Sequence, residues 1–271
     1  MKVMDRSEIK LLTITTIVLG FCFSFRDWGI NSFNFGMGIR NFIFVSILVA
    51  ISIIIHEIVH KKIAKRYDAI VEFKTWNSLL FTALLITILT NGYVIFAAVW
   101  VVVISSKYLF RPGHKSPHLG PWERAKIAAS GPFTNFILAL ISALLYVKTG
   151  AFIWNKLMII NFWMAGMNLF PFFRLFAILL MGSKQLAHNI TYKLGRAVWG
   201  KEKLPYMEGE VIYFGSRLLA VFLLSLVVIT AGIIIYFNRV FTALTIGFIG
   251  SIIIFLLMHQ LFEPKTVIPA H

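Results

Sequence analysis

The chain has 271 residues, 59% of them hydrophobic and 14% charged, against roughly 45–50% and 25% in soluble domains. That balance excludes an ordinary water-soluble enzyme and predicts a polytopic membrane protein embedded in a lipid bilayer. A net charge of +15 does not imply nucleic acid: Lys and Arg gather between apolar runs, as the positive-inside rule requires, and no basic face with interleaved aromatics lies outside them.

In chain order, Leu11–Phe25 follows Lys2, Arg6 and Lys10 and reads as a first, short membrane helix without a small-residue cleavage site. The single cysteine, Cys22, lies in it and excludes an intrachain disulfide or a cysteine-based zinc site. Asn41–His60 is a second membrane helix, ending against Lys61, Lys62, Lys65 and Arg66, a basic cluster that places this end in the cytosol. Two crossings back, the amino terminus is then cytosolic as well. Between Arg40 and Lys61 the only ionisable side chains are His56, Glu57 and His60. A carboxylate at membrane depth costs several kcal/mol unless paired, ligated or watered. On a helix, His56 and His60 share one face a turn apart, so both imidazoles can bind one Zn²⁺ with Glu57 beside it to polarise water.

Leu79–Ser106 is uncharged yet basic on both flanks, so it is expected to enter the membrane and return, turning at Asn91-Gly92. Tyr93–Ser105 is dense in β-branched and aromatic residues, and Val71–Trp76 alternates with period two. The re-entrant segment 79–106 therefore reads as a β-like hairpin, and two short helices fit the pattern as well. Arg111–Pro121 is a proline- and glycine-rich loop whose His114 and His118 are expected to be solvated. Ile127–Val147 and Phe152–Phe172 are further crossings, turning at Lys148-Thr149-Gly150. Arg174–Lys203 reads as a basic amphipathic stretch on the cytosolic face. Leu218–Phe237 and Val240–Phe262 close the chain, turning at Asn238-Arg239, with Gly232, Gly247 and Gly250 expected to allow close helix approach. The expected fold is an all-α polytopic membrane protein. It has about six transmembrane helices plus the re-entrant hairpin, forms a single integral domain over 1–271, and keeps both termini cytosolic.

Two histidines leave a hydrolytic zinc site one protein ligand short. Asp68 and Glu72 follow the helix too closely to fold back, Glu263 is remote, and Glu123 suits the start of a helix near Trp122. Beyond residue 61 the acids that remain are Glu202, Glu208 and Glu210, of which Glu202 and Glu210 read as solvated companions of nearby lysines.

Three elements resemble the site-2 protease family of intramembrane zinc metalloproteases, and they occur in that family's order across most of residues 41–217. They are His56-Glu57-Ile58-Val59-His60; Ala129-Ser130-Gly131-Pro132-Phe133-Thr134-Asn135; and Asn168-Leu169-Phe170-Pro171. The family's aspartate ligand would fall at Phe176, which cannot bind zinc. Met207-Glu208-Gly209, leading into Ile212-Tyr213-Phe214-Gly215-Ser216-Arg217, resembles the displaced second half of the motif. An insertion over 174–205 would account for the displacement, with Glu208 in place of the aspartate.

The resemblance implies a zinc endopeptidase in which His56, His60 and Glu208 hold Zn²⁺. Glu57 would act as general base, and Asn168 would lie beside the metal to bind substrate or steady an oxyanion. Asn168 reads equally as a helix-terminal cap before Pro171. The implied substrate is a transmembrane helix of another protein, cleaved near the cytosolic side. An edge strand in 79–106 could receive it once unwound. The alternatives are an inactive relative that scaffolds membrane helices and a transporter using the His/Glu set as a relay. No inverted repeat supports transport.

Overall fold

A computed structural model describes residues 5–29, 33–75, 77–106, 119–171 and 207–262. Among these, the elements are α1 (Arg6–Ser24), a short 3₁₀ turn (Phe25–Trp28), α2 (Phe35–Arg66), β1 (Ala69–Thr75), α3 (Asn77–Leu89) and β2 (Trp100–Ser106). They continue with α4 (Pro121–Thr149), α5 (Phe152–Leu169), α6 (Glu208–Gly215), α7 (Arg217–Phe237) and α8 (Val240–Phe262).

Five helices among the described residues, α1, α2, α4, α7 and α8, are long and apolar enough to cross a membrane. The expectation of about six is therefore met only in part. Helix α5 has the length, 18 residues, but is not among the five; it carries Asn155, Lys156, Asn161 and Asn168. Helix α2 begins at Asn34, whose side chain accepts the Met37 N–H. At 32 residues it runs to about 48 Å, well beyond a hydrocarbon core of roughly 30 Å. Its metal-motif residues sit near the basic end, His60 being about 9 Å along the axis from Arg66.

The segment 79–106 departs from the hairpin expected of it. Its first part is the apolar helix α3, which ends in a turn at Thr90–Gly92, where Asn91 and Gly92 both take positive φ (52° and 73°). The chain then runs irregularly to β2, whose partner lies outside the segment: β1 and β2 pair antiparallel, from Ala69 opposite Ser106 to Thr75 opposite Trp100. Leucine-rich 79–89 follows its helical preference, while the strand expected over Val71–Trp76 supplies the ladder.

The described interior divides into two main apolar clusters joined by α5. Ile160 and Met164 face α1, α2, α3 and the approach to β2. Met158, Phe162, Ala165 and Leu169 face α4, α6 and α7. Helices α4 and α5 turn at Gly150 (φ 65°), and α7 and α8 at Asn238 (φ 52°), as the sequence predicts. Gly247 lets α8 close on Thr230 of α7, but Gly232 meets nothing within 4 Å and serves no such contact. The proposed insertion 174–205, with Glu202, His114, His118 and Glu263, lies outside the described residues.

Candidate metal centre

His56, Glu57 and His60 are all fully buried on α2. Facing them is Glu208, the first residue of α6, 2% exposed and 148 positions beyond His60. One of its oxygens, Oε1, lies 2.9 Å from Nε2 of His56 and 3.1 Å from Nε2 of His60. Ligand atoms of His56, Glu57, His60 and Glu208 all fall within 4.8 Å of one another, a group that could hold a metal ion. The structure thus brings together the two histidines and the one distant acid that the motif resemblance singled out. Glu210, expected to be solvated, is instead buried at 5% exposure on the first turn of α6.

Each ring is held by something specific. Nδ1 of His60 lies 2.8 Å from the carbonyl oxygen of Ile127 in α4. A carbonyl only accepts, so the proton sits on Nδ1 and the Nε2 lone pair is left to face the site. Ser130 Oγ donates to the same carbonyl at 2.7 Å and stands 3.1 Å from the ring nitrogen. Pro132 cannot donate to the Ala128 carbonyl, so the α4 ladder is interrupted beside the carbonyl that His60 uses. Gly131 is where α4 meets the two rings: a Cβ there would fall on Nε2 of both His56 and His60. Helix α6 is admitted by Gly209, where a Cβ would stand 2.6 Å from the Leu169 carbonyl oxygen at the end of α5. Lys61 binds Glu8 of α1 at 2.6 Å, and Glu8 also accepts the Phe73 N–H of β1 at 3.2 Å, so α1, α2 and the sheet meet one residue past His60.

Both oxygens of Glu57, Oε2 of Glu208 and Nδ1 of His56 are buried without a hydrogen-bond partner. The two carboxyl groups and the two imidazoles share one site among the described residues, and neutral imidazoles bring no charge to offset a pair of carboxylates. Leaving ions so costs several kcal/mol each, and a divalent cation with two imidazole nitrogens and one or two carboxylates is the donor set that removes the deficit. Asn168 is 3% exposed near the end of α5 with its Nδ2 unsatisfied, and Asn135, one turn beyond Gly131 on α4, is fully buried with neither amide atom paired. Sequence reasoning missed Trp100 and Ile127 as site groups, and the burial of an unpaired Asn135. Asn135 and the Gly131 contact were foreshadowed by the second motif, whereas a backbone carbonyl carries no residue-type signal.

The model of peptidase family M50 matches residues 44–244. A protein of Methanocaldococcus jannaschii named as a putative zinc metalloprotease is 28% identical over 172 residues, 62% of this chain and 79% of that protein. No solved structure matches the chain.

Proposed function

Because the chain belongs to peptidase family M50, the site-2 protease family, we propose that it is an intramembrane zinc endopeptidase that cleaves transmembrane segments of other proteins near the cytosolic side. One observation carries this reading: a carboxylate from a remote helix stands within 2.9 and 3.1 Å of both motif histidines. An inactive scaffold needs no such convergence.

His56 and His60, through Nε2, and Glu208, through its carboxylate, would hold the ion. A zinc ion bound there supplies Lewis acidity towards a scissile carbonyl and lowers the pKa of water towards about 7. Glu57, with both oxygens uncommitted, takes the proton of the attacking water and returns it to the leaving amine. Asn168 turns its uncommitted Nδ2 to the substrate carbonyl, donating to the oxygen as negative charge develops there. Ile127 and Ser130 keep the His60 ring in the tautomer that leaves Nε2 free.

Water reaches these groups from the cytosolic side, since His60 adjoins Lys61 and the helix ends at Lys65 and Arg66. Helix α5 crosses as a sixth span, its 18 residues covering about 27 Å, and both termini then lie in the cytosol. A membrane-helix substrate must unwind before its carbonyls are reachable, and the exposed backbone then needs new partners. The outer side of β1 is already used where Phe73 donates to Glu8, which leaves, among the described residues, the outer edge of β2 for the substrate.

Photocrosslinkers placed singly across Val94–Ser105 test this step. Capture of a transmembrane peptide during turnover is expected, and no capture at any position contradicts it. The activity itself is tested by cleavage of a transmembrane model peptide in detergent, abolished by chelator and restored by zinc; a zinc-loaded protein that never cleaves would favour the scaffold.

A further inference from the structure

Trp100 opens β2 and is 1% exposed. Its Nε1 donates to Oε1 of Glu208 at 3.1 Å, the same oxygen that faces both histidines. The indole stands edge-on to His56, ring centroids 5.5 Å apart and planes at 88°, and packs against Phe73 at 6.1 Å. A buried indole N–H can only donate and must find an acceptor. Here it has found one on a carboxylate whose other oxygen, Oε2, has no partner. A carboxylate oxygen has two in-plane lone pairs. The indole N–H and both imidazole Nε2 atoms converge on Oε1 alone.

We infer that Trp100 is a positioning residue of the metal centre, its indole N–H fixing Glu208 as a one-oxygen ligand. The inference rests on the reading of Glu208 as a ligand. A carboxylate free to swing would present both oxygens and occupy the position that water and the scissile carbonyl require. Outer hydrogen bonds of this kind orient ligands and tune the metal, and their loss typically weakens metal binding about 10–100-fold. The role also explains why a polar-tipped ring stands where a strand enters an apolar interior: phenylalanine would pack as well against Phe73 but would leave the carboxylate unheld.

The test replaces Trp100 in two ways in the full chain: Trp100→Phe, and β-(3-benzothienyl)alanine at the same position, which exchanges N–H for sulfur while keeping the bicyclic shape. Zinc release is titrated with a chelator, and the visible spectrum of the Co²⁺-loaded protein reports coordination number. Glu208→Ala is the reference. Expected are release of zinc at about tenfold lower chelator for both replacements, as for other lost outer-shell bonds, a changed Co²⁺ band intensity, and a lower kcat at unchanged KM. The benzothienyl variant decides the matter should the Phe variant not fold. If Glu208→Ala loses metal while the benzothienyl protein matches wild type in release and spectrum, the inference about Trp100 is overturned and the ligand assignment survives. If Glu208→Ala itself holds zinc as wild type does, the ligand assignment fails first.

Discussion

Gly131 of α4 stands so close to His60 of α2 that any side chain there would displace the imidazole. The contact is supported one residue to the N-terminal side, where Ser130 Oγ lies 3.1 Å from Nδ1 of the same ring. In a free helix, replacing glycine by alanine gains up to about 1 kcal/mol. Here both rings are fully buried and His60 is tied to the Ile127 carbonyl, so they have little room to move aside. Gly131→Ala is expected to lower zinc affinity at least tenfold, comparable to losing an outer-shell partner, and to lower the thermal unfolding midpoint, as measured by chelator titration and by circular dichroism.

Glu57 is fully buried and both its oxygens lack partners. Glu57→Gln keeps the shape and removes the charge and the base. Turnover of a model peptide should fall by about 10²–10⁴-fold, the usual contribution of a general base, while zinc content stays at the wild-type level. A variant that retains wild-type turnover would remove Glu57 from the chemistry.

For Asn168, kcat and stability separate two roles. If its Nδ2 meets the substrate, Asn168→Ala lowers kcat about 10²–10³-fold, as loss of an oxyanion donor does, with zinc content and melting point nearly unchanged. If it only finishes α5, the melting point falls and turnover per folded molecule does not.

Lys61 and Glu8 form a pair 2.6 Å apart, their side chains 21% and 13% exposed, and Glu8 also holds the Phe73 N–H. Lys61→Met removes the cation and leaves a largely buried carboxylate. Denaturant unfolding should show a loss of about 1–3 kcal/mol, and the Glu8→Gln, Lys61→Met double variant should lose less than the sum of the single changes.

Much of this architecture could be read from the chain because membrane helices announce themselves by uncharged length. The turns at Gly150 and Asn238 and the paired histidines on α2 are local signals of that kind. The partner of β2 was not legible: strand pairing is non-local, and a β-branched run such as 100–106 does not say which run lies opposite. Glu210 was misjudged because acids near lysines are usually solvated, whereas the first turn of α6 is inserted against the end of α5 and carries Glu210 in with Glu208. Trp100 carries no site signal in the sequence. Its meaning depends on a carboxylate 108 positions away, and aromatic residues in an apolar chain are too common to stand out.

The account stands on Glu208 completing the site with His56 and His60. The direct measurement is zinc per chain, by metal analysis of purified wild type and Glu208→Ala, with cleavage of a transmembrane model peptide followed in the same samples. The account predicts about one tightly held zinc and measurable cleavage for wild type, and loss of both in the variant. A Glu208→Ala protein that keeps its zinc and its proteolysis would contradict it.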